Sequence, residues 1–351
     1  MKHPFFCFLL LSLSAWSCST SSISLQVLQP SQIVFPDYVQ NIAIIDRSKP
    51  AKGFKSFAEG LFSGEDIGQD REGRLRAMQG LINTLGRTPR YTAKTTGLEY
   101  TNPQNGRSMG PPLSWREVED LCKQYSSDLI IALESFDSNS DIRISTSTYK
   151  QKEKSTNQEV QKTRYTAYRN LRVYVGWRVY DPKARAVLDD NTSNEFVDHS
   201  YSGDTDAQAR NGLYSQINAV RELGAKAGTN YAMRIAPVYV TVSRSFFNTG
   251  KGNDKASMEE AFRYTKLNKW DQAEDVWAGM LQNSSDKRTP GKAAINLAVS
   301  AERDGDLKKA LDWAQKAYSQ YGNKQAQYYV NTLQQRISDQ ERLMYQYKAK
   351  P

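Results

Sequence analysis

Histidine is almost missing from this chain: two occur in 351 residues, His3 and His199. His3 lies in an apolar N-terminal segment, so His199 stands alone. That excludes a histidine-based metal site and leaves little room for a Ser-His-Asp triad. Cysteine is nearly as scarce. Cys7 and Cys18 fall in or directly after the same segment, so Cys122 has no partner and no disulfide framework exists. In Arg116 to Tyr125, helical spacing puts Cys122 on one face with Val118, Leu121 and Tyr125, which reads as a buried structural thiol. Gly106-Arg-Ser-Met-Gly110-Pro-Pro is too Pro-rich to open a helix and no Lys-Ser or Lys-Thr follows, so it is no phosphate loop. Asp189-Asp190, and Asp204 with Asp206, read as acids of turns and helix starts rather than as a glycosidase pair. His199 follows Asp198 on a strand, where alternation sends the two to opposite faces, and it reads as a satisfied or solvated side chain. The expectation is a protein that is not an enzyme, with no metal and no cofactor.

No run after residue 16 approaches the roughly 20 apolar residues of a membrane helix. At the start, Met1-Lys2-His3 carries positive charge and Phe5 to Trp16 is apolar but too short to span a bilayer. Ala15-Trp16-Ser17 supplies small residues where a signal peptidase reads, and Cys18 follows. This junction resembles the lipobox of bacterial lipoproteins. The resemblance implies a signal peptide over 1–17 and a lipid on Cys18, the membrane attachment of the mature chain. Cleavage by the ordinary signal peptidase, leaving a plain thiol, is the alternative. Residues 18–35, Ser-rich at first, read as the lipidated Cys and a flexible tether.

Lys and Arg exceed Asp and Glu by 47 to 38, a net charge of +9 without a long basic run. An exported chain with no zinc or helix-turn-helix signature is not expected to bind nucleic acid. The sharpest cluster is Lys150, Lys152, Lys154, Lys162, Arg164, Arg169 and Arg172, with two Glu, at the tip of a hairpin. It suits contact with an anionic lipid leaflet or an acidic partner, and equally a solvated tip. Its polar middle lacks the lipid-facing alternation of a barrel strand.

Residues 36–249 read as an α/β domain. Asn41 to Asp46 and Asp128 to Phe136 are apolar runs of buried strands, Arg90 to Leu98 forms a third, and Asp141 to Thr148 alternates as an edge or hairpin strand. Gly53 to Gly73 reads as loop and Arg74 to Leu85 as a helix. Ser114 with Glu117 gives a capping box for a helix through Tyr125. Leu171, Val173, Val175, Trp177 and Val179 form one face of a long strand, and Arg172, Tyr174, Arg178 and Tyr180 the other. The next strand covers Ala186 to Asp190 and Asn194 to Tyr201. A helix from about Asp206 to Ile235 carries Gly224 and Gly228 one turn apart, where the sheet would approach closely. Pro237 ends it, and Val238 to Arg244 alternates as a last strand. The expected fold is α+β, a mixed sheet with helices on one face, followed by an all-α region.

Asn268-Lys-Trp270-Asp-Gln-Ala273-Glu-Asp-Val-Trp277 recurs as Gly305-Asp-Leu307-Lys-Lys-Ala310-Leu-Asp-Trp313-Ala314, offset by 37 residues. This is similar to the tetratricopeptide (TPR) repeat, whose period is about 34 residues. Small Ala273 and Ala310 would let paired helices close up, and 254–347 reads as a TPR-like domain capped by a helix over Gln325 to Tyr347. Asn268 stands where that repeat usually has Gly. The resemblance implies a groove that holds a peptide, with Tyr264, Trp270, Trp277, Asn296 and Trp313 as contact candidates. Two repeats could instead merely brace the first domain.

The element order, with Tyr125-Ser-Ser-Asp128-Leu-Ile-Ile-Ala-Leu and Trp177-Arg-Val-Tyr180-Asp-Pro, resembles the periplasmic domain of curli-secretion lipoproteins, penicillin-binding-protein activator lipoproteins and the N-terminal domain of TolB. With the lipobox and the repeat, the chain resembles an uncharacterised family of Gram-negative cell-envelope lipoproteins. That implies an outer-membrane lipoprotein facing the periplasm, since Ser19 rather than Asp follows Cys18. The leading expectation is a non-enzymatic scaffold that docks cell-envelope proteins. The alternatives are a module binding or hydrolysing peptidoglycan, and a subunit of an oligomeric secretion assembly.

Overall fold

The computed structural model describes residues 19–50, 66–104 and 106–348. Cys18, the signal segment and most of the expected 53–73 loop lie outside them. In chain order the elements are β1 (Thr20–Gln29), β2 (Asn41–Pro50), α1 (Asp66–Leu85), β3 (Thr92–Asn102), α2 (Trp115–Tyr125), β4 (Leu129–Lys152), β5 (Glu159–Asp181) and β6 (Ala186–Gly203). Then come α3 (Asp206–Asn211), α4 (Gln216–Ile235), β7 (Val238–Phe247), α5 (Asp254–Lys266), α6 (Trp270–Asn283), α7 (Thr289–Arg303), α8 (Leu307–Ser319) and α9 (Ala326–Lys348). The fold is α+β, with a mixed five-stranded sheet, a two-stranded pair and an all-helical C-terminal region.

Two compact units divide the described chain: 28–239 with 343–348, and 19–27 with 240–342. The first holds the sheet, ordered β3-β2-β4-β5-β6. β2 runs parallel to β3 and β4, and β4-β5-β6 is an antiparallel meander. Ile42 to Ile45 and Leu129 to Leu133 are fully buried, as central strands covered on both faces must be. α1 and α4 cover one face, where Trp177 stacks on Tyr231 of α4 with centroids 5.0 Å apart. α2 covers the other, packing Val118, Leu121 and Cys122 on Ala43, Ile45, Ile130, Ala132 and Tyr180. Helices thus lie on both faces, not one. The cause is local: α2 opens on the Ser114–Glu117 capping box, and the preceding loop carries it across the sheet.

Gly224 and Gly228 admit a helix rather than the sheet. A Cβ at Gly224 would strike the carbonyl of Gly73 and one at Gly228 that of Ala77, while one at Gly80 would strike the carbonyl of Ala225. α1 and α4 therefore touch backbone to backbone. The expected single helix over 206–235 is also broken. Thr205 caps α3 through Gln208 N, and Gly212 ends it where a Cβ would enter the Tyr201 ring.

β4 is one strand of 24 residues where two were expected, paired with β5 from Ile130↔Tyr180 to Lys152↔Glu159. The turn is ordered: Glu153 N donates to Gln158 O, and Asn157 takes a φ of 56°. β6 follows β5 as far as Tyr165↔Gly203.

The second unit joins β1 and β7 to the helices. The stretch read as a tether is strand β1, because Ile23, Leu25 and Val27 alternate on one face. Asn248 N donates to Ser19 O, and Gln26 bonds Thr241, which fixes the pair as antiparallel. The unit boundary lies at 239/240 rather than near 250, because most of β7 packs with the helices. α5 to α8 pack in series, and Ala273, Ala310, Ala314 and Ala317 are fully buried where helices approach closely. The core gathers Phe246, Met258, Trp270, Trp277, Leu297 and Leu333.

Candidate functional site

The residues singled out in the helical unit separate on folding. Trp277 and Asn296 are fully buried and Trp270 is 5% exposed. Trp270 and Trp277 stand edge to face at 6.2 Å and both meet Phe246 of β7. Asn296 donates to Phe247 O and accepts from Phe247 N, each at 2.7 Å, so it clamps the backbone of the protein's own strand. These three are core residues, and a partner would not meet them. Only Tyr264 on α5 and Trp313 on α8 stay half-buried, on helices that are not neighbours in the packing series. α7 is buried around nearly its whole circumference. At its end Glu302 accepts from Arg244 of β7 at 2.8 and 2.9 Å, from Arg336 at 2.5 Å and from Tyr329 at 2.6 Å. Burial raises the Glu302 carboxyl, but these donors outweigh it and hold the group below its ordinary range. Strand β7 thus packs on α6 and α7 through Arg244, Phe246 and Phe247.

In the sheet unit, Glu134 sits at the bulge between Leu133 and Ser135. It is 1% exposed and accepts from Arg47 at 2.7 Å and Tyr180 at 2.5 Å, with Arg178 at 3.4 Å. Arg47 also donates to Pro111 O and Arg178 to Gly110 O, so the cluster pins the loop ahead of α2. Burial, then Glu134, pushes the Tyr180 hydroxyl up to about 12. Arg47, Arg178 and Tyr180 thus converge on one buried carboxylate, and Arg178 also binds Asp190 at 2.8 Å. Cys122 is likewise pushed up to about 11 by burial, an unreactive thiol. His199 lies 5.1 Å from Tyr214 with the two rings tilted at 47°, and Asp198 faces the other way, accepting from Asn170. Among the described residues, no cluster of three His, Cys, Asp or Glu could hold a metal. None of the described helices is long and apolar enough to cross a membrane.

Two surfaces remain. Strand β6 is an edge of the sheet, with 18 residues and no strand on its outer side among the described residues. The second surface is the open face of β4-β5-β6. Ala209 and Leu213 pack on Ile142, Ile144, Tyr165 and Ala167 on the inner face. On the other face Asn139, Asp141, Arg143, Tyr168, Arg172 and Phe196 are exposed. Lys150, Lys152, Lys154, Lys162 and Arg164 are all exposed at and near its tip, and Lys150 pairs with Glu159 at 3.5 Å. Arg172 and Tyr174 belong to this face, whereas Arg178 and Tyr180 of the same strand face are buried. Tyr149, Tyr168 and Phe196 escape sequence reading because only register brings them beside the arginines.

A family model described as a domain of unknown function (DUF8603) matches residues 39–247, more than half of the chain. The chain belongs to that family. The DUF8603 region runs from just before β2 to the end of β7. A second model, also a domain of unknown function (DUF6340), matches 259–335, from α5 into α9. No curated protein matches the chain significantly. Among solved structures it is similar to the PelC dodecamer from Paraburkholderia phytofirmans, at 9% identity over 61% of this chain and 99% of that one, with a TM-score of 0.21. A putative neuraminyllactose-binding hemagglutinin homolog from Helicobacter pylori shares 10% identity over 57% and 84%, with a TM-score of 0.23. A hypothetical protein from Chlamydia trachomatis shares 15% over 55% and 96%, with a TM-score of 0.21. Scores this low carry no functional argument.

Proposed function

We propose that this DUF8603 protein is a lipid-tethered, non-enzymatic docking component of the bacterial cell envelope, at the outer membrane facing the periplasm. The tether rests on the sequence, where a short apolar segment ends at Cys18. The docking reading rests on one observation, the 18-residue edge of β6, which has no strand on its outer side among the described residues. Such an edge offers a row of backbone donors and acceptors to a strand of a partner protein. The helical unit acts as a brace in this reading, since its core residues Trp277 and Asn296 are spent on holding β7. The fully engaged Glu134 and Glu302 clusters favour a structural use of the buried charges over catalysis.

A photocrosslinking residue at Thr192, in cells, should give one discrete adduct of defined mass, lost when the neighbouring residue is changed to Pro. A smear or no adduct would count against the edge. A fatty-acid probe should label the wild-type chain and not Cys18→Ala.

A further inference from the structure

The open face of β4-β5-β6 holds its charges in an unusual way. Its acids are already engaged: Asp137 by Arg107 at 2.6 Å, Asp141 by Arg143 at 2.9 Å, and Asp198 by Asn170 at 2.6 Å. Arg164 and Arg172 have no carboxylate partner among the described residues and lie instead over rings, Arg164 at 4.8 Å from Tyr149 and Arg172 at 5.9 Å from Phe196. A stacked guanidinium is pre-oriented, and its planar fork of donors stays free for a carboxylate from outside. Lys162 adds a third cation on the same face, also without an ion pair among the described residues.

The aromatic rings point to what else the ligand carries. Phe196 is 60% and Tyr168 46% exposed. Tyr168 lies opposite Ser200 and Arg172 opposite Phe196, so the two rings stand four residues apart along the strands, about 13 Å. Asn139, Ser145, Asn194 and Ser200 stand around and between them, with hydroxyl and amide groups. A protein partner would need a contiguous apolar centre, and these rings are isolated by polar neighbours. A peptide strand draws its affinity from backbone bonds at an edge, which a sheet face cannot supply. Separate rings, hydroxyl-binding side chains and free guanidiniums suit a polymer of acidic sugars.

We propose that this face binds an extended acidic polysaccharide, with uronate carboxylates on Arg164 and Arg172 and sugar rings on Phe196 and Tyr168. This goes beyond strand docking at the β6 edge and uses different side chains, so either reading can fail alone.

Affinity electrophoresis of the full chain through gels containing polygalacturonate tests it, with neutral dextran, single-stranded poly-dA and phosphatidylglycerol vesicles as comparison arms. Polygalacturonate should retard the protein and dextran should not. Arg172→Gln and, separately, Phe196→Ser should each weaken retardation about ten-fold with the melting temperature unchanged. Phe196→Ser leaves the charge intact, and Tyr168→Ser is its duplicate at the second ring. Lys154→Gln at the tip removes one charge and should change little. The proposal is overturned if polygalacturonate does not retard the chain, or if poly-dA or the vesicles bind more tightly. It is equally overturned if Lys154→Gln weakens binding as much as Phe196→Ser does.

Discussion

Asp70 of α1 is held by a hydrogen bond from Ser138 of β4 at 2.5 Å. Burial pushes its carboxyl up to about 7; the Ser138 bond and Arg74 pull it down, and Asp137 pushes it further up. An acid whose folded pKa exceeds its ordinary 3.8 binds its proton more tightly in the folded state. Its contribution is fully present below about pH 4 and is lost as pH rises through about 7. Denaturant melts from pH 4 to 7.5 should show this decline, at most about 4 kcal/mol, and Asp70→Asn should flatten it. Glu302 has the opposite sign. Its pKa lies below the ordinary value, so its contribution is present at neutral pH and disappears on acidification. Glu302→Gln would leave Arg244 and Arg336 facing each other without a counter-charge, and chemical denaturation should show a loss of about 3 kcal/mol. A loss under 1 kcal/mol would mean that water already screens the cluster.

Between α1 and α4 the decisive residues are those with no side chain. Gly228→Ala should cost about 1–3 kcal/mol, because the methyl meets the Ala77 carbonyl and one helix must shift to make room. Gly279 in the middle of α6 has nothing within 4 Å of its would-be Cβ, so Gly279→Ala should stabilise by about 0.5–1 kcal/mol. Thermal melts of the pair give opposite signs if backbone contact, rather than helix propensity, governs Gly228. Capping at α2 was legible because Ser114 and Glu117 are local to each other. Strand length was not. Asp137 to Asp141 look like a turn by composition, yet the partner strand β5 supplies each with a register mate, Asp137↔Tyr174 through Asp141↔Asn170, and the ladder runs straight through. The break between α3 and α4 was hidden for a similar reason. Leu213, Ile217 and Val220 keep the helical period, and only the Tyr201 ring from β6 shows why the chain must leave the helix at Gly212.

At the scale of the molecule, β1 and β7 belong with the helices that follow them. Phe246 packs on Phe262, Trp270 and Trp277, and Asn296 holds the backbone of Phe247. A fragment of 254–351 should therefore melt without cooperativity and bind a hydrophobic dye, although it carries α5 to α9. Cooperative melting of that fragment, measured by circular dichroism, would show the strands to be dispensable. The sequence by itself determined what is local: the scarcity of histidine and paired thiols, the apolar strands at Ile42 and Leu129, the capping box, the 37-residue offset of the helix pairs and the segment ending at Cys18. Periodicity and capping depend on neighbours a few residues away, so they can be read in order. Only the tertiary structure decided which tryptophans are core, that β7 packs on α6 and α7, and that arginines and rings from three strands share one open face. Those facts depend on register between residues far apart in the chain, and one side chain's spacing along its own strand carries no information about them.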